Sequence, residues 1–442
     1  MAQGQMNWKG RGTGTTKEYI VEAAMERGLT YEYRFRSAIG RLSAPVKSRM
    51  IKDGRRQRSV DVSKSAVVQR KEISSGDEAR FTLVQNLKGA ASHGDAPVKT
   101  GDYLAYLHKN IRVNAVRSPG IPLIEEMSKM RVKDILGGEE NEIRRQLEMY
   151  LAEEYTYDAY GAFFNGASKG ILSVTEDEGG LEMDLGRGKG KKVSMEHIII
   201  GGYGEISKPA TNSVSDLNTY EAEIVTQLNA QQIAAEALSD LAALQTYGLR
   251  RGIISDLRDY VIDQKIAGLD VGMNEKWYIA VDPSNMKSLV REGGELYEAW
   301  KTSRERSKSN PVYGYDYVEL DDFIFFPDPY LKKFRPTGFS AGESEVTWGS
   351  DNRDMRSSSV SGNWAPFLIM GQQALMEATA GKTKITKWEG KHDQGMEIAA
   401  HIKQSFARTN WKPRDGRNAP TLNQSSVLCL FWTPDSLFTP TA

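Results

Sequence analysis

Apolar and polar residues alternate along residues 79–87, Ala-Arg-Phe-Thr-Leu-Val-Gln-Asn-Leu, which sets Phe81, Leu83 and Leu87 on one face. A period of two predicts a strand. A second strand is predicted over 103–116, where Ile111, Val113 and Ala115 alternate with Asn110, Arg112 and Asn114. The stretch between them, 89–101, is small, polar and turn-rich, and carries His93, Asp95 and Lys99. The two strands make a long hairpin with a loose tip, each arm reaching about 30 Å at ~3.3 Å per residue. A lone two-stranded hairpin is marginal in water, and its open edges invite pairing. Such an arm needs a partner surface, on its own chain or on a neighbour.

The period changes to 3.6 over 137–166. Gly137-Gly138 opens the stretch, and Glu139, Glu140 and Glu142 sit where a helix N-terminus favours acids. Ile143, Leu147, Tyr150 and Leu151 mark one face, Tyr157, Tyr160 and Phe164 extend it, and Asn165-Gly166 is the stop. A helix of this length spans about 40 Å.

Downstream, 167–215 is irregular apart from a strand at Met195–Ile200. Residues 219–247 are Ala- and Gln-rich and helical, with Ile224, Leu228, Ile233, Ala237, Leu241 and Leu244 apolar. Trp277–Val281 is a strand, and Asp282-Pro283 opens a helix to about Arg304. Tyr317–Phe326 is strand-like, with two apolar clusters around acidic residues. Ala365–Ala380 begins extended and turns helical after Gly371. Residues 383–412 are mostly strand, with a turn at His392-Asp393-Gln394-Gly395. Residues 1–60 read as an arm rich in Gly, Lys and Arg, weakly helical around Glu18–Arg27.

Charge changes this picture. The 442 residues carry 58 basic and 58 acidic side chains, a formal net charge of zero, which excludes a wholly basic nucleic-acid coat and a wholly acidic tail protein. The zero hides a separation. Residues 1–76 hold 16 Lys/Arg against 7 Asp/Glu, and 221–330 hold 11 against 19. The densest basic patch is Lys47, Arg49, Lys52, Arg55, Arg56 and Arg58, a candidate contact for nucleic acid or for an acidic surface of another copy. Aromatic residues for base stacking lie upstream of it, at Tyr31, Tyr33 and Phe35. Cys429 is the only cysteine, so no intrachain disulfide forms. The N-terminus has no apolar signal region and no apolar run nears the ~18 residues of a membrane span, so synthesis in the cytoplasm and no membrane partner are expected.

Candidate chemistry is sparse. The five His do not form a metal-ligand pattern, and one Cys, inside the apolar run Val427–Trp432, cannot build a thiolate site. The glycine cluster 186–192 lacks the spacing of a phosphate loop. Gly202-Tyr-Gly204 begins like a dinucleotide fingerprint, but Ser207 holds the third glycine position and Pro209 blocks an early helix, so a turn is expected. Asp321-Asp322 lacks a third convergent group and reads as a solvated turn. No catalytic, cofactor or metal residues are assigned.

Several of these stretches, in order, resemble the major capsid proteins of tailed bacteriophages. Residues 79–89, the glycine-rich tip, Asp102-Tyr-Leu and the strand through Val116 look like that family's extended loop, and Glu139–Gly166 resembles its spine helix. Trp277-Tyr-Ile-Ala-Val-Asp-Pro283, Asn310-Pro-Val-Tyr-Gly314, Leu368-Ile-Met-Gly-Gln-Gln-Ala-Leu375, Asp393-Gln-Gly395 and Ile398-Ala-Ala400 continue the similarity, which covers roughly 60–412. The specific group it resembles is that of podoviruses that package a virion RNA polymerase. Residues 167–215 and those after Asn410 diverge from the pattern, and the arm is too short for an obvious built-in scaffolding domain.

The resemblance implies an α+β chain of Hong Kong 97 type. Its parts would be an N-terminal arm (1–60), an extended loop (61–118) and a peripheral domain (119–218) with a spine helix at about 138–166. An axial domain (219–330) and a return to the peripheral domain with a C-terminal segment (331–442) would follow. The implied function is a virion shell of hexamers and pentamers around double-stranded DNA, assembled in the host cytoplasm. The implied partners are other copies, a portal, scaffolding and decoration proteins, with no cofactor and no catalysis. Candidate contacts between subunits or with DNA are the basic patch with Phe81, Leu83, His93, Asp95 and Lys99. Two other classes predict different behaviour. A DNA-binding module led by 1–76 predicts salt-dependent binding by a monomer, and a soluble α/β enzyme with a cofactor on Gly202-Tyr-Gly204 predicts saturable nucleotide binding.

Overall fold

The computed structural model describes residues 37–45, 48–53, 56–61, 66–73, 78–84, 106–118, 121–123, 139–165, 174–176, 197–207, 214–264, 266–271, 274–286, 318–337, 347–348, 363–381, 384–389, 396–411 and 423–433. Two sheets organise them, one of eight strands and one of seven.

The eight-stranded sheet runs in the order Gly204–Ser207, His197–Ile200, Ser426–Trp432, Trp364–Met370, Asn274–Val281, Phe323–Pro327, Val318–Leu320, with Leu269–Val271 pairing Asn274–Val281. Every residue of Trp364–Met370 and Ser426–Trp432 is buried. Their unbroken apolar runs therefore mark strands covered on both faces. Phe367, Ile369, Val427, Cys429 and Phe431 pack with Ile254, Leu257 and Val261 of the helix Arg251–Asp263. Leu368, Met370, Leu428 and Leu430 point the other way, into a larger core with Tyr220, Ile224 and Leu228 of the helix Val214–Glu236 and with the long helix Glu139–Asn165.

The seven-stranded sheet is built on one 13-residue strand, Met396–Arg408. Leu375–Ala380 and Lys384–Glu389 both run antiparallel to it, and their registers differ by two residues across a break at Gly381, which has φ +71. Glycine suits that position, because it adopts positive φ without the strain a side chain would bring. Asn114–Arg117 and Ile121–Leu123 line the other side of the strand. Val68–Ile73 joins Leu375–Ala380 in parallel, and Ser43–Pro45 joins Val68–Ile73.

The long helix lies where the period of 3.6 placed it, at Glu139–Asn165. Its second half is buried almost all round. Leu151, Tyr155, Ala159, Tyr160, Phe163 and Phe164 are each at most 1% exposed, so the single apolar face read from the sequence understates its burial. Tyr155 meets Phe406 edge-on at 4.9 Å and donates to the buried Glu377 of the seven-stranded sheet. Arg408 donates to the carbonyl of Phe163 at 2.6 Å, so a cation from the sheet satisfies an end carbonyl of a helix whose last turn holds no basic residue.

Several expected elements take other forms. Leu375–Ala380 is a strand, not the start of a helix. Its Leu-Met-Glu-Ala-Thr-Ala sequence favours a helix locally, but ladders on both sides and burial of five residues override that preference. The helix of 219–247 breaks near Ser239, which caps a separate helix Asp240–Tyr247. Within the stretch read as strand-like, Val318–Leu320 and Phe323–Pro327 form a hairpin whose turn is Asp321-Asp322, both at positive φ. After Pro283 the described helix covers only 283–286. The strand over 103–116 is broken: Tyr106–Arg112 stays in the hairpin and Asn114–Arg117 enters the seven-stranded sheet. Residues 37–45, read as part of a free arm, belong to the core, with Ile39 fully buried and Ser37 bonded to Thr156 of the long helix.

Candidate assembly surfaces

Glu78–Val84 pairs with Tyr106–Arg112, giving the predicted hairpin with seven residues in each arm. The alternation is visible: Ala79 and Phe81 are buried, while Glu78, Arg80 and Thr82 are exposed. The buried face does not wait for a neighbour. Ala79, Phe81 and Ile111 pack on Met376, Ala378 and Ala407 of the chain's own seven-stranded sheet. Phe81, 2% exposed, is therefore corrected from a surface contact to a core residue. Lys109 is buried as well and donates to the carbonyl of Arg408 at 3.3 Å, which ties the hairpin to the strand that caps the long helix. Leu83 stands opposite Leu107 in the ladder. His93, Asp95 and Lys99 lie outside the described residues.

The stretch 167–215, read as irregular, contributes a third strand to this hairpin: Val174–Glu176 pairs with Lys109–Ile111. The order is Glu78–Val84, Tyr106–Arg112, Val174–Glu176, so both outer ladders remain unpaired among the described residues. Backbone N–H and C=O groups on such edges are ready to pair with another chain.

The basic patch forms a second hairpin that the sequence reading missed. Ser48–Asp53 pairs with Arg56–Asp61. The register pairs Arg49 with Val60, Ile51 with Arg58, Lys52 with Gln57 and Asp53 with Arg56. Lys47 and Arg55 lie outside the described residues. No other strand pairs with this ribbon among the described residues.

Acidic charge gathers on the helix Arg251–Asp263, which also went unread. Ile254, Leu257 and Val261 face the core, and Asp256, Asp259 and Asp263 form an exposed stripe at i, i+3 and i+7. Arg258 is engaged with Asp322 of the Asp321-Asp322 turn at 2.8 Å. Exposed large apolar side chains on these elements are Tyr203, Ile233, Leu238 and Ile262.

The residues weighed for chemistry take structural places. Gly202 and Gly204, both at positive φ, form the turn between His197–Ile200 and Gly204–Ser207. A side chain at Gly202 would meet the Tyr247 ring at 2.1 Å, so the turn is packed against the end of the helix Asp240–Tyr247. His197 Nδ1 and the Tyr260 hydroxyl both meet the Glu205 carboxylate, joining this edge hairpin to the helix Arg251–Asp263. Burial, with Glu205 beside it, pushes the Tyr260 hydroxyl pKa up. Burial alone pushes the Cys429 thiol up, which leaves it without thiolate character. Among the described residues no three His, Cys, Asp or Glu side chains are grouped to hold a metal ion. The glycine cluster 186–192 lies outside them.

No protein-family model matches the chain, and no curated protein matches it. Solved structures do. The chain is similar to the capsid of Ralstonia phage GP4, at 14% identity over 86% of this chain and 90% of that one, with a TM-score of 0.52. It is also similar to the Cyanophage Pam1 capsid asymmetric unit, at 13% identity over 84% and 89%, with a TM-score of 0.48. The first likeness shows the fold: the chain is α+β of the Hong Kong 97 capsid type.

Proposed function

We propose that this chain is the major capsid protein of a tailed bacteriophage, which self-assembles into the hexamers and pentamers of an icosahedral head enclosing double-stranded DNA. The observation that supports this reading is a fold shared along nearly its whole length with a chain described as a phage capsid. In this reading the hairpin of 78–84 and 106–112 is the base of the extended loop and Glu139–Asn165 is the spine helix. Residues 1–60 are the arm, docked on the core through 37–45, 219–330 the axial domain, and 331–442 the return to the peripheral domain. The finer assignment is to podoviruses that package a virion RNA polymerase. The working partners are other copies, then portal, scaffolding and decoration proteins and the packaged DNA, with assembly in the host cytoplasm. No catalytic step is assigned.

The physics of the surfaces supports assembly. A hairpin with unpaired ladders gains its remaining contacts on a neighbour, and stability becomes partly a property of the shell. Each further Å² of apolar surface covered contributes about 25 cal/mol. The basic ribbon of 48–53 and 56–61 and the acidic middle of another copy set register by charge. The full chain should sediment as capsomers or shells and image as such. Salt-sensitive DNA binding by a monomer would support the nucleic-acid module instead. Replacing Arg55, Arg56 and Arg58 with Glu should lower shell yield in low salt, and an unchanged yield would remove the charge contact from the account.

A further inference from the structure

Between the long helix and the eight-stranded sheet sits a short wedge, the 3-10 helix Pro329–Phe334 with Asp328 before it and Arg335 after it. The Asp328 backbone N–H donates to Val281 at the end of a central strand. The Phe334 ring stacks on Phe164 at 5.0 Å and 8°, and it also meets Tyr157 and Tyr160 of the same helix. Arg335 grips the sheet side: Nε donates to Asp282 at 3.0 Å and Nη2 to Ser284 at 2.7 Å, with both ions of the pair at most 1% exposed. Asp328 grips the helix side. Its carboxylate accepts from the Tyr160 hydroxyl at 2.8 Å and from the backbone N–H of Tyr330 at 3.0 Å.

The two ends differ in charge. Asp282 has its guanidinium, whereas Asp328, 3% exposed, makes no ion pair among the described residues. The titratable groups on the elements around it are Tyr160 and Tyr157 of the long helix, Glu153 acting on Tyr330, Tyr330, Lys332 and Lys333 of the wedge itself, and the Asp282–Arg335 pair. The strand Trp364–Met370, also against the wedge, has no titratable side chain. An ionised carboxylate buried without a cation is costly.

We propose that residues 328–335 are a proton-operated clasp between the long helix and the eight-stranded sheet, fully closed when Asp328 is neutral and loosened when it ionises. The inference goes beyond the shell reading and applies to the single chain. Burial raises the Asp328 carboxyl above its ordinary 3.8, against the pull of the Tyr330 N–H and the Tyr160 hydroxyl. A proton held more tightly folded than unfolded stabilises fully below the unfolded value and is lost as pH rises through the folded one.

The test is thermal melting of the full chain from about pH 4 to about pH 8, with amide exchange followed over 157–164 and 329–334. Asp328→Asn should gain about 2–4 °C on the wild type across that range. Exchange in the two segments should rise together in the wild type as pH rises, after correction for the intrinsic rate, and stay flat in the variant. Tyr160→Phe removes a donor that favours the ionised form, so its deficit should widen with pH. Parallel melting curves for wild type and Asp328→Asn overturn the clasp. If Asp328→Asn does not fold, a pH-independent Tyr160→Phe deficit overturns it.

Discussion

The strands Trp364–Met370 and Ser426–Trp432 bury all of their residues, whereas along Glu78–Thr82 burial alternates and only one face is covered. The first pair is finished within the chain: both faces meet helices or core, and both ladders are filled. The hairpin is half finished. Its inner face is anchored by Phe81 and Ile111, while Glu78, Arg80 and Thr82 alternate with it as exposed positions and its outer ladders pair with no other strand among the described residues. One region carries the stability of the chain, and in the proposed reading the other is the surface it offers to a neighbour.

That contrast breaks first at Phe367, which packs against Phe325 and Phe431 and is fully buried. Phe367→Ala should cost about 3–5 kcal/mol in a urea melt. Glu78→Ala, on the exposed side of the hairpin, should stay within about 0.5 kcal/mol. Equal losses would abolish the distinction. Arg335→Leu should cost a similar ~3–5 kcal/mol, because it strands the buried Asp282 carboxylate. A double change of both to apolar residues should recover much of that loss. Gly202→Ala tests the edge hairpin: a side chain there meets both positive φ and the Tyr247 ring, and about 1–3 kcal/mol should be lost in the same melt. Gly161→Ala has the smallest expected effect and the opposite sign. Gly161 lies inside the long helix with open space where a methyl group would sit, so stability should rise by about 0.5–1 kcal/mol.

What could be read from the sequence followed from how strongly local pattern and tertiary burial agree. The long helix was legible because its aromatic and aliphatic residues from Ile143 to Phe164 recur at helical spacing over about six turns. Leu375–Ala380 was not, because its helix-favouring residues are held in a strand by ladders that sequence does not display. The helix Arg251–Asp263 does carry a signal, Ile254, Leu257 and Val261 at helical spacing, but over a stretch too short and too polar between them to stand out. Ser48–Asp61 has few apolar residues, so no alternation announced its hairpin. For the candidate surfaces, the period of two identified the buried face at Phe81. It could not say whether that face meets its own chain or another, since the covering residues Met376, Ala378 and Ala407 lie about 300 positions away. Val427–Trp432 was visible as an apolar run, but its place in the middle of the eight-stranded sheet came only from its pairing.

The most direct test of the assembly account is sedimentation with imaging of the full chain beside a variant lacking residues 90–100. The account predicts capsomers or closed shells from the full chain. It predicts a soluble, folded subunit with no stable shells from the variant. A compact, inert monomer from the full chain, or normal shells from the deletion, would contradict it.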